Sequence, residues 1–391
     1  MKLNKTSLFF LLISLMLAMS LVACGTPSST PEQEKTIKIG LIADLTGPVS
    51  GYAQDIEDAA NFSLNQIGWE LEGRDIELII EDGASNPDAA VDKARKLVEV
   101  DKVHVILGPI LTDSYIAVAG FLKTREIPYI YIHVGANEAV KAGAPGAVFA
   151  SGGQDIGASY PIGLWAAESG YKTATTITTD IAYGWNSHKG FVLGFEEGGG
   201  EVVQTQSTTM ATMDYLPYLL SLDDADILGF FLTALDTVTF VKQYRDYGGQ
   251  MPLFGFHDTM ITTFGLEELG DLGLGITTNS AWAYNIGTPE NEAFIDDFLE
   301  WSGRPPTQGF EMFYNAVQLF LEAVRVTEGD TTPDALINAL HSIDKVFPRG
   351  RVTVDADGFV ISDQYIVEVV NTNKYGYVWE QFDQVERPVI K

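Results

Sequence analysis

The sequence predicts an α/β protein of two lobes, each built on a doubly wound parallel sheet. Three observations predict it. From Ile37 onward, short β-branched runs alternate with amphipathic stretches, the pattern of parallel strands covered by helices on both faces. The alternation stops at Gly152-Gly153 and begins again, so the chain carries two βα series and two sheets. The only cysteine is Cys24, so a chain of 391 residues must hold itself together by burying apolar surface.

In the first series, Ile37 to Ile42 reads as a strand and Ala43 to Pro48 as a turn. Apolar residues at Ile56, Ala60, Leu64 and Ile67 then mark one face of a helix. A strand at Ile76 to Ile80 leads to a helix opened by Asn86-Pro87, an asparagine suited to capping and a proline tolerated in the first turn. Strand Val103 to Leu107, helix Ser114 to Lys123 and strand Tyr129 to Ile132 follow. The second series runs from helix Tyr160 to Ser169 through strand Thr173 to Thr178, helix Trp185 to Glu197 and strand Glu201 to Gln204. It continues with strand Ile227 to Phe231, helix Asp236 to Tyr247 and strands Met251 to Gly255 and Ile276 to Ala281. Helices at Glu292 to Trp301 and Phe310 to Val326, and one capped at Thr332-Pro333, precede strands Val352 to Val354, Tyr365 to Val370 and Tyr377 to Trp379. Periodicity alone does not say against which sheet these last elements pack.

The start of the chain is of another kind. Lys2 and Lys5 precede an apolar run from Leu8 to Leu21, and Leu21-Val22-Ala23-Cys24 is similar to the lipobox of bacterial lipoprotein leaders, where the chain is cut before an acylated cysteine. An ordinary leader or an uncleaved anchor is the competing reading. The run falls short of the roughly 20 residues that a spanning helix needs. Residues 1–23 are therefore read as a signal peptide, Cys24 as the lipidation site and 24–36, rich in Thr, Pro, Ser, Glu and Gln, as a flexible tether. No later apolar run reaches spanning length. With 53 acidic against 24 basic residues and a net charge of −29, the surface repels phosphate backbones and anionic lipid headgroups. No nucleic-acid partner is expected, and the membrane is met only through the acyl chains.

Several motifs then carry a family resemblance. Ile39 to Tyr52, with Ala43-Asp44-Leu45-Thr46-Gly47-Pro48 at its centre, resembles the opening of the branched-chain amino-acid type of periplasmic binding protein, the Leu/Ile/Val-binding-like proteins of ABC transporters. Val103 to Pro109 is similar to the family's strand ending in Ile-Gly-Pro, and Ala182-Tyr183-Gly184 to its Asp-x-Tyr-Gly turn. His133-Val134-Gly135-Ala136-Asn137 stands where the family has Ser-Pro-x-Ala-Thr. The resemblance implies a type I periplasmic binding protein, with two lobes joined by three crossovers. It places 37–150 plus 284–364 in lobe 1 and 151–283 plus 365–391 in lobe 2. It also implies capture of a small solute by closure of the lobes and delivery to an ABC permease.

Ligands of open α/β sheets bind beyond the carboxyl ends of the strands. There Thr112 stands where the family offers a hydroxyl to the ligand carboxylate, and Gly135 and Asn137 where it offers an amide and a second hydroxyl. Simple helix capping is the competing reading for Thr112 and Asn137. Tyr52 matches the family's aromatic wall, with ordinary core as its alternative, and Tyr183 matches the second-lobe tyrosine. Thr233 replaces a tyrosine. His257 and Asp258 stand near the family's ammonium-binding glutamate, which leaves an α-amino-acid ligand less well provided for. His133, Glu311 and Trp282 are further candidates for the cleft, and Trp282 with Tyr284 suits hinge packing as well.

An enzyme would need a constellation that the sequence lacks. It has no Gly-x-Ser-x-Gly elbow, no His-Glu-x-x-His pair, no Gly-rich phosphate loop with lysine and no cysteine nucleophile. The five histidines show no metal-ligand spacing, so neither metal nor cofactor is expected. The expected function is a lipid-anchored extracytoplasmic solute-binding protein for an amino acid or related carboxylate. A ligand-sensing lipoprotein that presents its closed state to a membrane receptor is the alternative.

Overall fold

The computed structural model describes residues 35–132, 142–144, 146–150, 155–257 and 263–385. The leader, Cys24, and the candidates His133, Gly135, Asn137 and Asp258 lie outside them. Strand β1 (Thr36–Ala43) is central to the first sheet, and its Ile37, Ile39, Leu41 and Ile42 are buried. Such a continuous apolar run belongs to a parallel strand covered on both faces. β1 pairs in parallel with β3 (Arg74–Asp82) on one side and β4 (Val105–Leu107) on the other. Beyond β4 come β5 (Tyr129–Tyr131) and β6 (Ala147–Phe149), while the short β2 (Glu70–Leu71) closes the far edge antiparallel.

Helix α1 (Ala53–Gln66) links β1 to the β2–β3 hairpin, α2 (Pro87–Lys96) follows β3 and α3 (Thr112–Leu122) follows β4. Asn86 caps α2 as its sequence predicts, accepting from the Ala89 N–H at 3.0 Å. Because the chain goes from β1 to β3 and then returns to β4 on the opposite side, the connections diverge at the carboxyl end of β1 and β4. That is a topological switch point, the place where α/β sheets open a crevice.

The second sheet repeats the device. Strand β7 (Thr173–Thr179) lies between β8 (Glu201–Thr208) and β9 (Ile227–Phe231), both parallel to it. Then come β10 (Leu253–Gly255) and β11 (Thr277–Ser280). Helix α4 (Asp155–Glu168) enters this lobe, α5 (Ala182–Glu197) follows β7, the single turn α6 (Leu216–Leu219) follows β8, α7 (Ala234–Asp246) follows β9 and α8 (Thr263–Leu269) follows β10.

After β11 the chain returns to the first lobe as α9 (Pro289–Ser302), α10 (Gln308–Val326) and α11 (Pro333–His341). Helix α10 packs along α1. Between them Phe62, Phe294, Phe298 and Phe310 interlock, with Phe298 and Phe310 centroids 3.8 Å apart. Thr307 starts α10 by accepting from the Phe310 N–H and donates to Asp55 of α1 at 2.9 Å. Thr332 occupies the N-cap position of α11, but its side chain makes no capping bond, contrary to the sequence expectation.

Two features depart from the two-sheet expectation. Strands β12 (Asp344–Phe347), β13 (Gly350–Val354) and β14 (Val360–Ile361) form a small third sheet, attached to β6 where Phe149 and Phe359 stack at 4.6 Å. The second main sheet is mixed, because β15 (Gln364–Thr372) runs antiparallel to β11 and pairs with β16 (Gly376–Val385). The reason is topological. The chain leaves β11 at its carboxyl end to build the first lobe and re-enters at that same end, so the strand that follows must run the other way.

The tightest packing joins α4 to α5. A Cβ on Gly190 would stand 2.0 Å from the Ile156 carbonyl oxygen, one on Gly194 2.2 Å from that of Tyr160, and one on Gly163 2.1 Å from that of Phe191. The two backbones touch through the absence of side chains, so these positions tolerate no methyl group. Gly194→Ala is expected to lower stability by about 1–3 kcal/mol despite its better helix propensity, read as a lower midpoint in denaturant.

His188 on α5 bonds the Thr176 and Thr205 hydroxyls at 3.0 and 3.2 Å, and burial holds its pKa down at about 4. The unfolded chain takes up a proton near the ordinary value of 6.5, and the folded one only near 4. Stability is therefore full above pH 6.5 and falls as the pH drops from there toward 4, at a rate of at most about 1.4 kcal/mol per pH unit for one proton. Denaturant titrations across this window should show that slope flattened in His188→Gln.

Candidate functional site

The carboxyl edges of the two sheets meet at a cavity, and both lobes line it. Val49 comes from the loop after β1, and Ile110, Leu111, Thr112 and Asp113 from the turn after β4 into α3. Ile181, Ala182 and Tyr183 come from the turn after β7 into α5, Met210 from the loop after β8 and Thr233 from the turn after β9 into α7. These are the loops of the two switch points.

On the first-lobe side, Gly108 at φ +82° permits the sharp departure from β4, and a Cβ there would lie 2.1 Å from the Ile42 carbonyl oxygen. Asp44, fully buried, ties the turns together. Its carboxylate accepts the Ser85 N–H at 2.7 Å and the Ile110 N–H at 3.1 Å. Burial pushes its pKa up, and the amide bonds act against that shift. Beneath Thr112 the Tyr131 hydroxyl donates to the Ile110 carbonyl oxygen at 2.7 Å and lies 3.2 Å from Thr112 Oγ1. Tyr115 and Tyr129 stack beneath the same turn at 4.8 Å.

On the second-lobe side, Tyr183 packs edge-on against Phe231 at 4.9 Å, and its hydroxyl lies 3.4 Å from His257 Nδ1. His257 itself is wholly buried. Thr233 donates to Asp236 Oδ2 at 2.6 Å, and the same oxygen accepts the Ala211 N–H at 3.0 Å. Asp236 thereby holds the loop that carries Met210, and burial pushes its pKa up.

Three helices begin at this cavity: α3, α5 and α7. In none of them does the N-cap side chain accept from a backbone N–H of the first turn. The first backbone N–H groups of a helix lack intrahelical acceptors, and the aligned peptide dipoles make that end positive. The three ends are not equal. α3 carries Asp113 and α7 carries Asp236 in the first turn, whereas the first turn of α5 has no acidic residue.

Of the residues singled out from the sequence, Thr112, Tyr183 and Thr233 line one cavity, and His257 stands directly behind Tyr183. Tyr52 is not among the lining residues. It is buried, with its ring edge-on to Phe313 of α10 at 5.9 Å. Glu311 is likewise turned inward, to Arg349: the guanidinium Nε meets Glu311 Oε1 at 2.9 Å and a second nitrogen meets Oε2. Both residues of that pair are buried. The Arg349 guanidinium and the Asn315 amide also donate to the carbonyl oxygen of Ala150, where the chain leaves the first lobe, and Tyr365 donates to the carbonyl oxygen of Arg349, where it returns to the second. Trp282 and Tyr284 pack together at 5.0 Å, with the Trp282 indole N–H on Asn291 at 2.6 Å.

Asp44, Asp236, Tyr131 and the apolar lining were not picked out from the sequence, although each lies within a few residues of a strand's carboxyl end. Among the described residues no group of three or more His, Cys, Asp or Glu could hold a metal ion, and no helix is long and apolar enough to cross a membrane.

The family model for periplasmic binding proteins matches residues 36–374. A Leu/Ile/Val-binding protein homologue of Brucella melitensis is 23% identical over 381 residues, covering 95% of this chain and 97% of its own. Among solved structures, a solute-binding protein of an ABC transporter from Rhodopseudomonas palustris, in complex with 3,4-dihydroxybenzoic acid, superposes with a TM-score of 0.84 at 27% identity, covering 90% of this chain and 98% of that one. A leucine-binding protein from Thermotoga maritima shares the fold, with a TM-score of 0.78 at 17% identity over 88% of this chain and 97% of that one. The chain therefore belongs to the periplasmic binding protein family, in its branched-chain amino-acid type, as an extracytoplasmic, non-enzymatic solute-binding protein of ABC transporters with the type I fold.

Proposed function

We propose that this protein is anchored to the outer face of the cytoplasmic membrane through a lipidated Cys24, closes its lobes on a small carboxylate-bearing ligand and passes it to an ABC importer. One observation carries the ligand reading: helix N-termini from both lobes converge on a cavity whose walls are apolar at Val49, Ile110, Leu111, Ile181 and Met210, polar at Thr112, Asp113, Tyr183 and Thr233, and without a basic side chain among its described lining residues. Backbone amides at helix ends are suited to an anion, and apolar walls to a hydrophobic body. The first turn of α5 carries no acidic residue of its own, and the Asp180 carboxylate just before it is engaged by the Trp185 indole N–H at 2.8 Å, so this turn is the preferred seat for the carboxylate, with the amides of the turn at Thr112 facing it from the other lobe. A ligand held from both sides favours the closed arrangement by its differential affinity for it.

The relatives support this range. One solved relative holds 3,4-dihydroxybenzoic acid, another p-hydroxybenzoic acid, and a curated relative in Pseudomonas aeruginosa is a leucine-, isoleucine-, valine-, threonine- and alanine-binding protein. Each ligand has a carboxylate on a small body. The lone cysteine after Leu21-Val22-Ala23, followed by a polar stretch up to the first strand, supports the anchor.

A thermal-shift series of branched-chain amino acids, aromatic acids and their uncharged amides should raise the melting temperature only with the acids. A ligand at 100 times its Kd adds about 2.7 kcal/mol. Stabilisation by the amides alone would remove the carboxylate from the reading. Ala182→Pro provides a sharper test. Proline is accepted at the first helical position, and Ile181 before it is already extended at φ −137° and ψ 160°, so the fold should persist while one N–H at the anion seat is lost. Affinity for the acid should fall about tenfold or more by titration calorimetry. In bacterial cells the wild-type chain should fractionate with membranes and Cys24→Ser with the soluble extracytoplasmic fraction.

A further inference from the structure

We propose that Thr233, oriented by Asp236, is a specificity-determining hydrogen-bond acceptor, so that the cavity selects a carboxylate whose body also bears an O–H or N–H donor. The inference deepens the carboxylate reading and rests on it. It follows from counting protons in the cavity walls.

A threonine hydroxyl has one proton and two lone pairs. Thr233 Oγ1 lies 2.6 Å from Asp236 Oδ2, an oxygen that already accepts the Ala211 N–H at 3.0 Å. An ionised carboxylate has no proton to give and only accepts, so the proton in this short contact is Thr233's. Thr233 and Asp236 are both buried, and among the described residues no Lys, Arg or His forms an ion pair with Asp236. With its proton turned inward, Thr233 faces the cavity through its lone pairs alone.

Thr112 is committed in the same sense. The single proton of the Tyr131 hydroxyl goes to the Ile110 carbonyl oxygen at 2.7 Å, so the 3.2 Å contact between Tyr131 and Thr112 uses the threonine's proton. Both lobes thus offer the ligand donors from their helix amides and acceptors from their threonines. A ligand with only a carboxylate and an apolar body leaves those acceptors buried and unmatched, a loss that sites built for a hydroxyl or amine impose on analogues lacking it. Asp236 acts through Thr233 and is a positioning residue.

The test uses the purified full-length protein and two matched pairs, 4-hydroxybenzoate against 4-methoxybenzoate and leucine against 4-methylpentanoate, titrated by calorimetry. The donor-bearing member of at least one pair should bind about tenfold or more tightly. Thr233→Ser should keep that preference. Thr233→Val should reduce it to about twofold or less while leaving the affinity of the donor-free member in place. Asp236→Asn, whose amide oxygen can still accept from both Thr233 and the Ala211 N–H, should keep the preference, whereas Asp236→Ala, which frees the Thr233 proton for the cavity, should weaken it. Equal binding within both pairs, or a preference that survives in Thr233→Val, overturns the acceptor assignment and leaves the carboxylate reading standing. Failure of all four acids to bind overturns both.

Discussion

Parallel strands all end at the same edge of their sheet, and this constraint governs where everything else in the molecule can be. It delivers the first turns of α3, α5 and α7, together with the loops that precede them, to one side of each lobe. When the two edges face each other, backbone amides accumulate in a space that side chains alone would leave hydrophobic. In the proposed reading the recognition chemistry is supplied largely by topology, and the side chains adjust it: Asp113 and Asp236 stand within the first turns of α3 and α7, whereas Asp180 stands just before that of α5 and is engaged by Trp185.

The loops that make the cavity are short of regular structure, and buried carboxylates do the work of tying them. Asp44 bonds two separate turns of the first lobe, and Asp236 bonds Thr233 to the loop that carries Met210. In both cases burial opposes the charge while amide or hydroxyl donors stabilise it. Each lobe therefore reaches the cleft with its wall already braced from behind.

Much of this was legible in the sequence because several of the parallel strands are buried on both faces and read as apolar runs. Ile227 to Phe231 is the clearest case, with its ends read correctly from composition alone. Ala147–Phe149 was missed, since three residues between Pro145-Gly146 and the Gly152-Gly153 pair carry no period. The third sheet and the reversed direction of β15 were not readable either, because both depend on where the chain re-enters a lobe, which no local pattern encodes. At the site, Thr112, Tyr183 and Thr233 were found from the family resemblance, at positions that follow a strand. Glu311 looked like a cleft residue because nothing in its neighbourhood announces Arg349, 38 residues away and buried against it. Asp44 and Asp236 escaped notice for the converse reason: aspartates are frequent in so acidic a chain, and only the fold shows that these two are buried beside the cavity.

The Arg349–Glu311 pair has a bearing on how the lobes can move. One guanidinium grips the α10 carboxylate and the carbonyl of Ala150, and its own backbone carbonyl is held by Tyr365. Two of the passages between the lobes are consequently pinned to a common point, and separating those charges in a dry interior would be far more costly than bending the chain beside it. In the proposed closure the knot would serve as an axle rather than a spring. Rotation about it would bring the two walls together as rigid faces, so that what fits between them would be decided by the shape and polarity of surfaces finished before any solute arrives.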